Sequence, residues 1–253
     1  MIIIKSASEI DKMRVSGAIT AELMAAVGGM IAPGVTTAEL DRAAEAFIRG
    51  CGARSAFKGY RGYPASICVS VNEEVVHGIP GRRRLAAGDI VSLDVGVEYD
   101  GYFADMARTF AAGGGASENG RLLDAARFAV EDAIGKAVAG GWLHDLSHAI
   151  EGRAAANGFS VVRDYVGHGI GSRLHEDPQI PNYGTPGTGP RLKAGMTFAV
   201  EAMLNAGTHA VRVLSDGWTV VTMDGRPSAH WEDTIAITDD GPEVLTCLKK
   251  KRR

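Results

Sequence analysis

The chain has 253 residues, 27 Lys and Arg against 30 Asp and Glu, and a hydrophobic share of 45%. Those proportions exclude a disordered or fibrous chain, and near-neutral charge gives no reason to expect wholesale or specific DNA binding. Three cysteines, an odd number, exclude a complete disulfide framework and fit a reducing cytoplasm. No window approaches the ~20 apolar residues of a membrane helix, and Met1-Ile2-Ile3-Ile4 is too short for a signal-peptide core.

Residues 8–30 carry an apolar stripe through Ile10, Met13, Gly17, Leu23 and Val27 and are predicted helical. Ser8 is the expected cap, with Asp11 three residues on. Pro33-Gly34 ends this stretch. A second helix is expected after Thr36 or Thr37, with Leu40, Ala43, Ala44 and Phe47 on one side and Gly50 at its end. Residues 66–71 read as a strand. Residues 90–99 and 102–110 read as two strands joined at Asp100-Gly101, a strong hairpin signal. A second helix pair is predicted over 121–139 and 142–157. Strands follow over 161–166, 197–203, 210–214, 218–222 and 234–238. Residues 249–253 are all basic. No Pro/Ser-rich linker marks a boundary, so residues 1–253 are expected to form one domain.

The sequence echoes itself. Arg84-Leu85-Ala86-Ala87-Gly88 precedes Asp94 as Arg191-Leu192-Lys193-Ala194-Gly195 precedes Glu201. Upstream, His77-Gly78-Ile79 parallels His168-Gly169-Ile170. A helix pair precedes each copy. The reading is two similar α/β halves, about 8–112 and 121–245, around a shared centre; the alternative is chance similarity between two strands that begin after glycine.

In the hairpin, Tyr99 should pair with Tyr102, so Asp94 faces Ala107 and Asp105 is its diagonal neighbour on the same face. Val91, Leu93, Val95 and Val97 fall on the other face and suit a core. Two like charges so close repel, and a cation between them removes the cost. The alternative is that both carboxylates face solvent or pair with Arg108. Glu201 in an otherwise apolar strand and Glu232 beside another also require partners. His168 sits between Gly167 and Gly169, with room around its ring. Two Asp, two Glu and one His suit two divalent ions of the Mn, Fe, Co or Zn kind.

His77-Gly78-Ile79-Pro80, Asp94-Val95-Gly96, Asp105 with Arg108-Thr109-Phe110, Gly167-His168-Gly169-Ile170-Gly171, His175-Glu176, Val200-Glu201 and Trp231-Glu232-Asp233-Thr234 resemble the type I methionine aminopeptidases. The resemblance covers about residues 8–245 and matches the short bacterial form. It implies the pita-bread α/β (α+β) fold, with two pseudo-symmetric halves around a dinuclear metal site. It makes Asp94, Asp105, His168, Glu201 and Glu232 the metal ligands, with Asp105 and Glu232 bridging. It makes Glu201 the proton carrier, His175 a hydrogen-bond donor to the developing oxyanion, and His77 a contact to the scissile amide nitrogen. Tyr60, Tyr63, Cys68, Leu174 and Trp218 match positions of the side-chain pocket. Gly59 and Leu174 depart from the family pattern, which often has Cys or Ser at the first and an aromatic at the second. A monovalent cation is implied near Asn72, Glu74 and Ser228.

The expected function is removal of the initiator methionine from nascent polypeptides in the cytoplasm, with a small second residue preferred, by a monomer. The alternatives are a related enzyme acting on X-Pro bonds, such as a prolidase, and a binding module that keeps the fold without catalysis. The tail at 249–253 is either a solvated terminus or a contact to the phosphate-rich ribosome surface.

Overall fold

The computed structural model describes residues 1–113 and 119–248; the basic run at 249–253 lies outside the described residues. Helices α1 (Ala7–Gly28) and α2 (Thr37–Gly50) come first. Short β1 (Arg54–Ser55), β2 (Cys68–Val71) and β3 (Glu74–Val76) lead to the long hairpin β4 (Ile90–Tyr99) and β5 (Tyr102–Ala111). Helices α3 (Gly120–Lys136) and α4 (Leu143–Ala156) follow. Then come β6 (Ser160–Val161), β7 (Gly167–Gly169), β8 (Glu176–Ile180), β9 (Thr197–Asn205), β10 (Val211–Val213), β11 (Val220–Thr222), β12 (Ser228–Thr238) and β13 (Gly241–Val244). No helix among the described residues is long and apolar enough to cross a membrane.

One ten-stranded antiparallel sheet runs β1-β4-β5-β12-β9-β7-β8, with β2 on β4, β6 on β9 and β13 on β12. Strands β10, β11 and β3 form a separate small sheet. Alternation decides the two faces of the large sheet. Leu93, Val95 and Val97 join α1 and α2 in one apolar cluster. Phe198, Val200, Ala202, Ile235 and Ile237 join α3 and α4 in another. Both helix pairs therefore cover the same side, and Asp94, Glu201 and Glu232 of these strands fall on the other, among further apolar side chains.

The echo in the sequence is an echo in hydrogen bonding. Gly34 N–H donates to Leu85 O at 2.7 Å, and Gly140 N–H donates to Leu192 O at 2.9 Å. Leu85 and Leu192 donate back to Val35 O and Gly141 O. The Arg84 guanidinium caps Gly34 O, and that of Arg191 caps Gly140 O. In each copy the Arg-Leu segment is thus stitched to the turn that enters the second helix of a pair.

Several sequence expectations need correction. Ser6, not Ser8, caps α1: Glu9 N–H reaches its hydroxyl and the Glu9 carboxylate returns to Ser6 N–H at 2.8 Å. The longer Glu closes the box, while Asp11 pairs with Arg14. Thr36 caps α2 with Glu39 in the same way. The strand expected over 161–166 stops at Val161, because the Asn182 side chain takes the carbonyls of Val162 and Tyr165. The strand expected over 234–238 begins at Ser228. Strands β7 and β8 went unread in a Gly- and Pro-containing segment. Gly169 is required there, since a Cβ would lie 2.1 Å from Asp177 O.

The seam between β5 and β12 is bridged by side chains. Thr234 Oγ1 donates to Asp105 O and accepts Asp105 N–H, both at 2.8 Å. Four residues away, Thr109 Oγ1 donates to His230 O at 2.9 Å and accepts His230 N–H at 2.8 Å. Between them Glu232 pairs with Ala107 and Asp233 with Met106. Replacing Thr234 by Val keeps the volume but leaves two buried backbone groups of Asp105 unpaired. The expected loss is about 1–3 kcal/mol, read as a lower urea midpoint of metal-free protein, and Thr109→Val should match it.

Candidate active site

Strand registers put the chemistry in rows. Cys68 lies opposite Asp94, Asp94 opposite Ala107, Ala107 opposite Glu232, and Glu232 opposite Glu201. On one side of this row, Gly96 faces Asp105 and Ala199 faces both Thr234 and His168. On its other side, Ser92 faces Thr109 and His230 faces Met203. Period-two alternation aims all three rows to the side away from the helices. The hairpin register is the one its Asp-Gly turn predicts, with Tyr99 opposite Tyr102.

The five expected ligands therefore meet on one face. Donor atoms of Asp105, His168 and Glu232 lie within 4.8 Å of one another, as do those of Glu201, His230 and Glu232. Glu232 belongs to both groups, and Asp94 lines the same cavity. Arg108 does not neutralise them. Alternation sends it to the opposite face, where it binds the Asp233 carboxylate at 2.7 Å and stacks over Trp231. Among the described residues, no Lys or Arg lies within 4.0 Å of the four carboxylates; the basic side chain that close is His230.

Protonation reflects that crowding. Burial pushes Asp94 up to about 6, with Glu201 adding to it. Burial, then Asp94 and Glu201, push Asp105 well above the carboxylate range. Burial, then Asp105 and Glu201, do the same to Glu232. For Glu201 burial also acts upward, but His230, His168 and His175 outweigh it and hold the group below its ordinary value. Asp94 Oδ1, Glu232 Oε1 and both His230 ring nitrogens are buried without hydrogen-bond partners. Buried polar atoms are normally paired. A hard, oxygen-rich donor set with orphaned carboxylate oxygens fits divalent cations.

Beside the carboxylates lies a cavity of about 190 Å³, lined by all seven expected pocket and histidine positions: Tyr60, Tyr63, Cys68, His77, Leu174, His175 and Trp218. Tyr63 is tied down by donation to Gly78 O at 2.9 Å and meets Trp218 edge-on at 5.1 Å. Cys68 is buried, and burial with Asp94 opposite pushes its thiol up. Gly59 takes φ +85°, a conformation that disfavours side chains. It starts the turn that presents Tyr60, whose hydroxyl lies 2.9 Å from His175 Nδ1 with the rings stacked at 5.3 Å.

Burial and the His168 ring 4.2 Å away hold His175 down to about 4, so it is neutral at pH 7, with one edge open to the cavity. Burial lowers His77 as well. His77 has φ +60°, and its ring meets Tyr165 and Trp218 edge-on. The segment that carries His175 is anchored from behind by a buried ion pair, Lys5 to Glu176, at 2.5 Å.

At the other end of β12, Ser228 N–H donates to Asn72 O at 2.9 Å, so these expected monovalent-site positions are neighbours. The Glu74 carboxylate is met by Val71 N–H and Arg83. Sequence reasoning missed His230. The signal was its spacing of two from Glu232, which puts both on one face once the strand is extended backwards.

Residues 11–239 match metallopeptidase family M24. The chain is 51% identical to methionine aminopeptidase of Clostridium perfringens, over 98% of this chain and 100% of that one. It is 50% identical to methionine aminopeptidase 1 of Bacillus subtilis, over 97% and 99%. The crystal structure of methionine aminopeptidase from Thermotoga maritima superposes with a TM-score of 0.95 at 47% identity, covering 97% and 99%. Xaa-Pro dipeptidase from Bacillus anthracis is more distant, with a TM-score of 0.77 at 25% identity, covering 98% of this chain and 63% of that one. The chain therefore belongs to metallopeptidase family M24 and, within it, to the methionine aminopeptidases.

Proposed function

We propose that this chain removes the initiator methionine from nascent polypeptides with two divalent ions held by Asp94, Asp105, His168, Glu201 and Glu232. Metal-dependent aminopeptidase chemistry belongs to its family. The assignment of these ligands rests on one observation, the meeting of four carboxylates on a buried face where, among the described residues, no Lys or Arg reaches them. Bound there, the ions would lower the pKa of a water and polarise the scissile carbonyl. Which of Co, Mn, Fe or Zn serves is part of the proposal, as is a monovalent cation near Asn72, Glu74 and Ser228.

The protein's own groups do the rest. Glu201, held ionised by the imidazoles around it, takes the proton lost by the attacking water. The Tyr60 hydroxyl lies 2.9 Å from His175 Nδ1; when it donates there, the ring proton sits on Nε2. A neutral His175 can then donate into the cavity, where negative charge grows on the carbonyl oxygen. His77, wedged between Tyr165 and Trp218, contacts the amide nitrogen that departs as an amine. Tyr63, Cys68, Leu174 and Trp218 close around the methionine side chain and exclude water. A small second residue fits beside them. We place the enzyme in the cytoplasm, as a monomer.

Release of methionine from Met-Ala-Ser, and far less from Met-Lys-Ser, is the direct test. Asp105→Ala should abolish it in folded protein. His175→Ala should lower kcat about 100- to 1000-fold, in line with one lost oxyanion donor, while metal content is kept. Tyr60→Phe should lower kcat less and leave KM nearly unchanged. Hydrolysis by Asp105→Ala near the wild-type rate, or equal metal loss in His175→Ala and His168→Ala, would contradict the assignment.

A pH dependence follows from the crowded carboxylates. Asp94, Asp105 and Glu232 bind protons more tightly in the folded metal-free protein than in the unfolded chain. Their contribution to stability is complete below the unfolded values of about 4. For Asp94 it is lost as pH rises through about 6, and for Asp105 and Glu232 as pH rises through their own, more strongly raised values. Divalent ions replace those protons, so the rise in thermal midpoint produced by saturating Mn should widen from pH 4 upward. A constant rise across that window would count against the ligand set.

The basic run at 249–253 would bring the enzyme to the phosphate of the ribosome surface, where its substrate emerges. Protein ending at residue 248 should hydrolyse the tripeptide normally yet co-sediment less with ribosomes at low salt. Unchanged co-sedimentation would reduce the tail to a solvated terminus.

A further inference from the structure

His230 stands outside the five-ligand set, and its place in the site is unusual. It is only 2% exposed, so solvent cannot satisfy its ring. Neither ring nitrogen has a hydrogen-bond partner. Nε2 lies 3.4 Å from Glu201 Oε2 and 3.8 Å from Glu232 Oε2. Both separations exceed a good N–H···O contact, yet both carboxylates are on the same side of the ring's edge.

The ring has little freedom to look elsewhere. Thr109 holds the backbone of His230 by both its N–H and its C=O. Ser92 Oγ, 2.8 Å from the Thr109 hydroxyl, secures that group in turn. Alternation along β12 then leaves the imidazole in the row next to Glu232 and Glu201, lining the cavity. Its neighbours on that face are the Glu201 and Glu232 carboxylates and, further off, Asp94 and His77.

We propose that His230 is a positioning residue for the metal centre: its Nε2–H donates to the Glu201 carboxylate and holds that ligand in the orientation a divalent ion requires. The inference rests on the ligand assignment made above. Charge favours a donor over a sixth ligand. Four carboxylates already balance two divalent ions, so no further ligand is needed to offset charge, and an outer N–H adds direction. A ligand carboxylate bound to a cation keeps a second oxygen free to accept a hydrogen bond, and such outer partners fix ligand orientation. Drawing Glu201 and Nε2 together by a few tenths of an ångström would satisfy an otherwise orphaned donor.

The test is calorimetric titration of metal-free protein with Mn, alongside His230→Leu and His230→Gln. Leu removes the donor; Gln restores an N–H of similar reach. One of the two ions should bind about 10- to 100-fold more weakly to the Leu variant, the usual cost of losing an outer partner. The Gln variant should return to near wild type. At saturating metal, kcat on Met-Ala-Ser should fall for Leu and recover for Gln, with KM unchanged in both. If the Leu variant does not fold, His230→Asn, whose amide is set back by its shorter side chain, carries the same expectation. Wild-type affinity for both ions in the donor-less variant overturns the proposal, and so does equal weakening in Leu and Gln. Wild-type protein that takes up no divalent ion overturns the ligand assignment and this inference together.

Discussion

Four acidic side chains forced onto one largely buried face of a sheet are the constraint on which the rest of the molecule turns. Asp94, Asp105, Glu201 and Glu232 come from four strands whose registers are fixed by an apolar opposite face. A slip of one residue in any strand would send its carboxylate into the helix-packed core. The apolar clusters under the two helix pairs therefore hold mutually repelling groups together, at a cost that raises three of their pKa values. Repulsion of that size marks a place built for cations.

The seam where this happens is not an ordinary ladder. Threonine hydroxyls from β5 and β12 reach across in reciprocal fashion, each serving the backbone of a residue that faces the site. Asp105 and His230 are thereby held by the main chain, while their side chains stay free for the centre. Matching stitches at Leu85 and Leu192 tie each helix pair to its own part of the sheet. Similar halves meeting at a hydroxyl-bridged seam give a face with carboxylates arriving from both directions.

Around the carboxylates, burial disfavours the charged form of three histidines. Burial lowers His77, His168 and His175, and the His168 ring 4.2 Å away adds to the lowering at His175. A neutral imidazole can donate from one nitrogen while the other is fixed by a neighbour, as Tyr60 fixes His175. The same low dielectric that makes the carboxylates costly makes such a donor effective.

Much of this was legible in the sequence. The Asp-Gly turn dictated the hairpin register, and alternation alone put Asp94 and Asp105 on one face. The repeated Arg-Leu segments pointed to two similar halves, and the order of motifs pointed to the family. What the sequence could not decide was how the halves join. The pairing of Glu232 with both Ala107 and Glu201 is a contact between segments far apart in the chain, and no local periodicity encodes it. For the same reason β12 was read six residues too short. Ser228 and His230 fall before the strand read from the sequence, and they share a buried face with Glu232 only when β5 and β9 flank them. His230 stayed hidden with that strand. The role proposed for it depends on two glutamates that tertiary pairing alone brings within reach, because side chains on neighbouring strands interact through register and not through sequence distance.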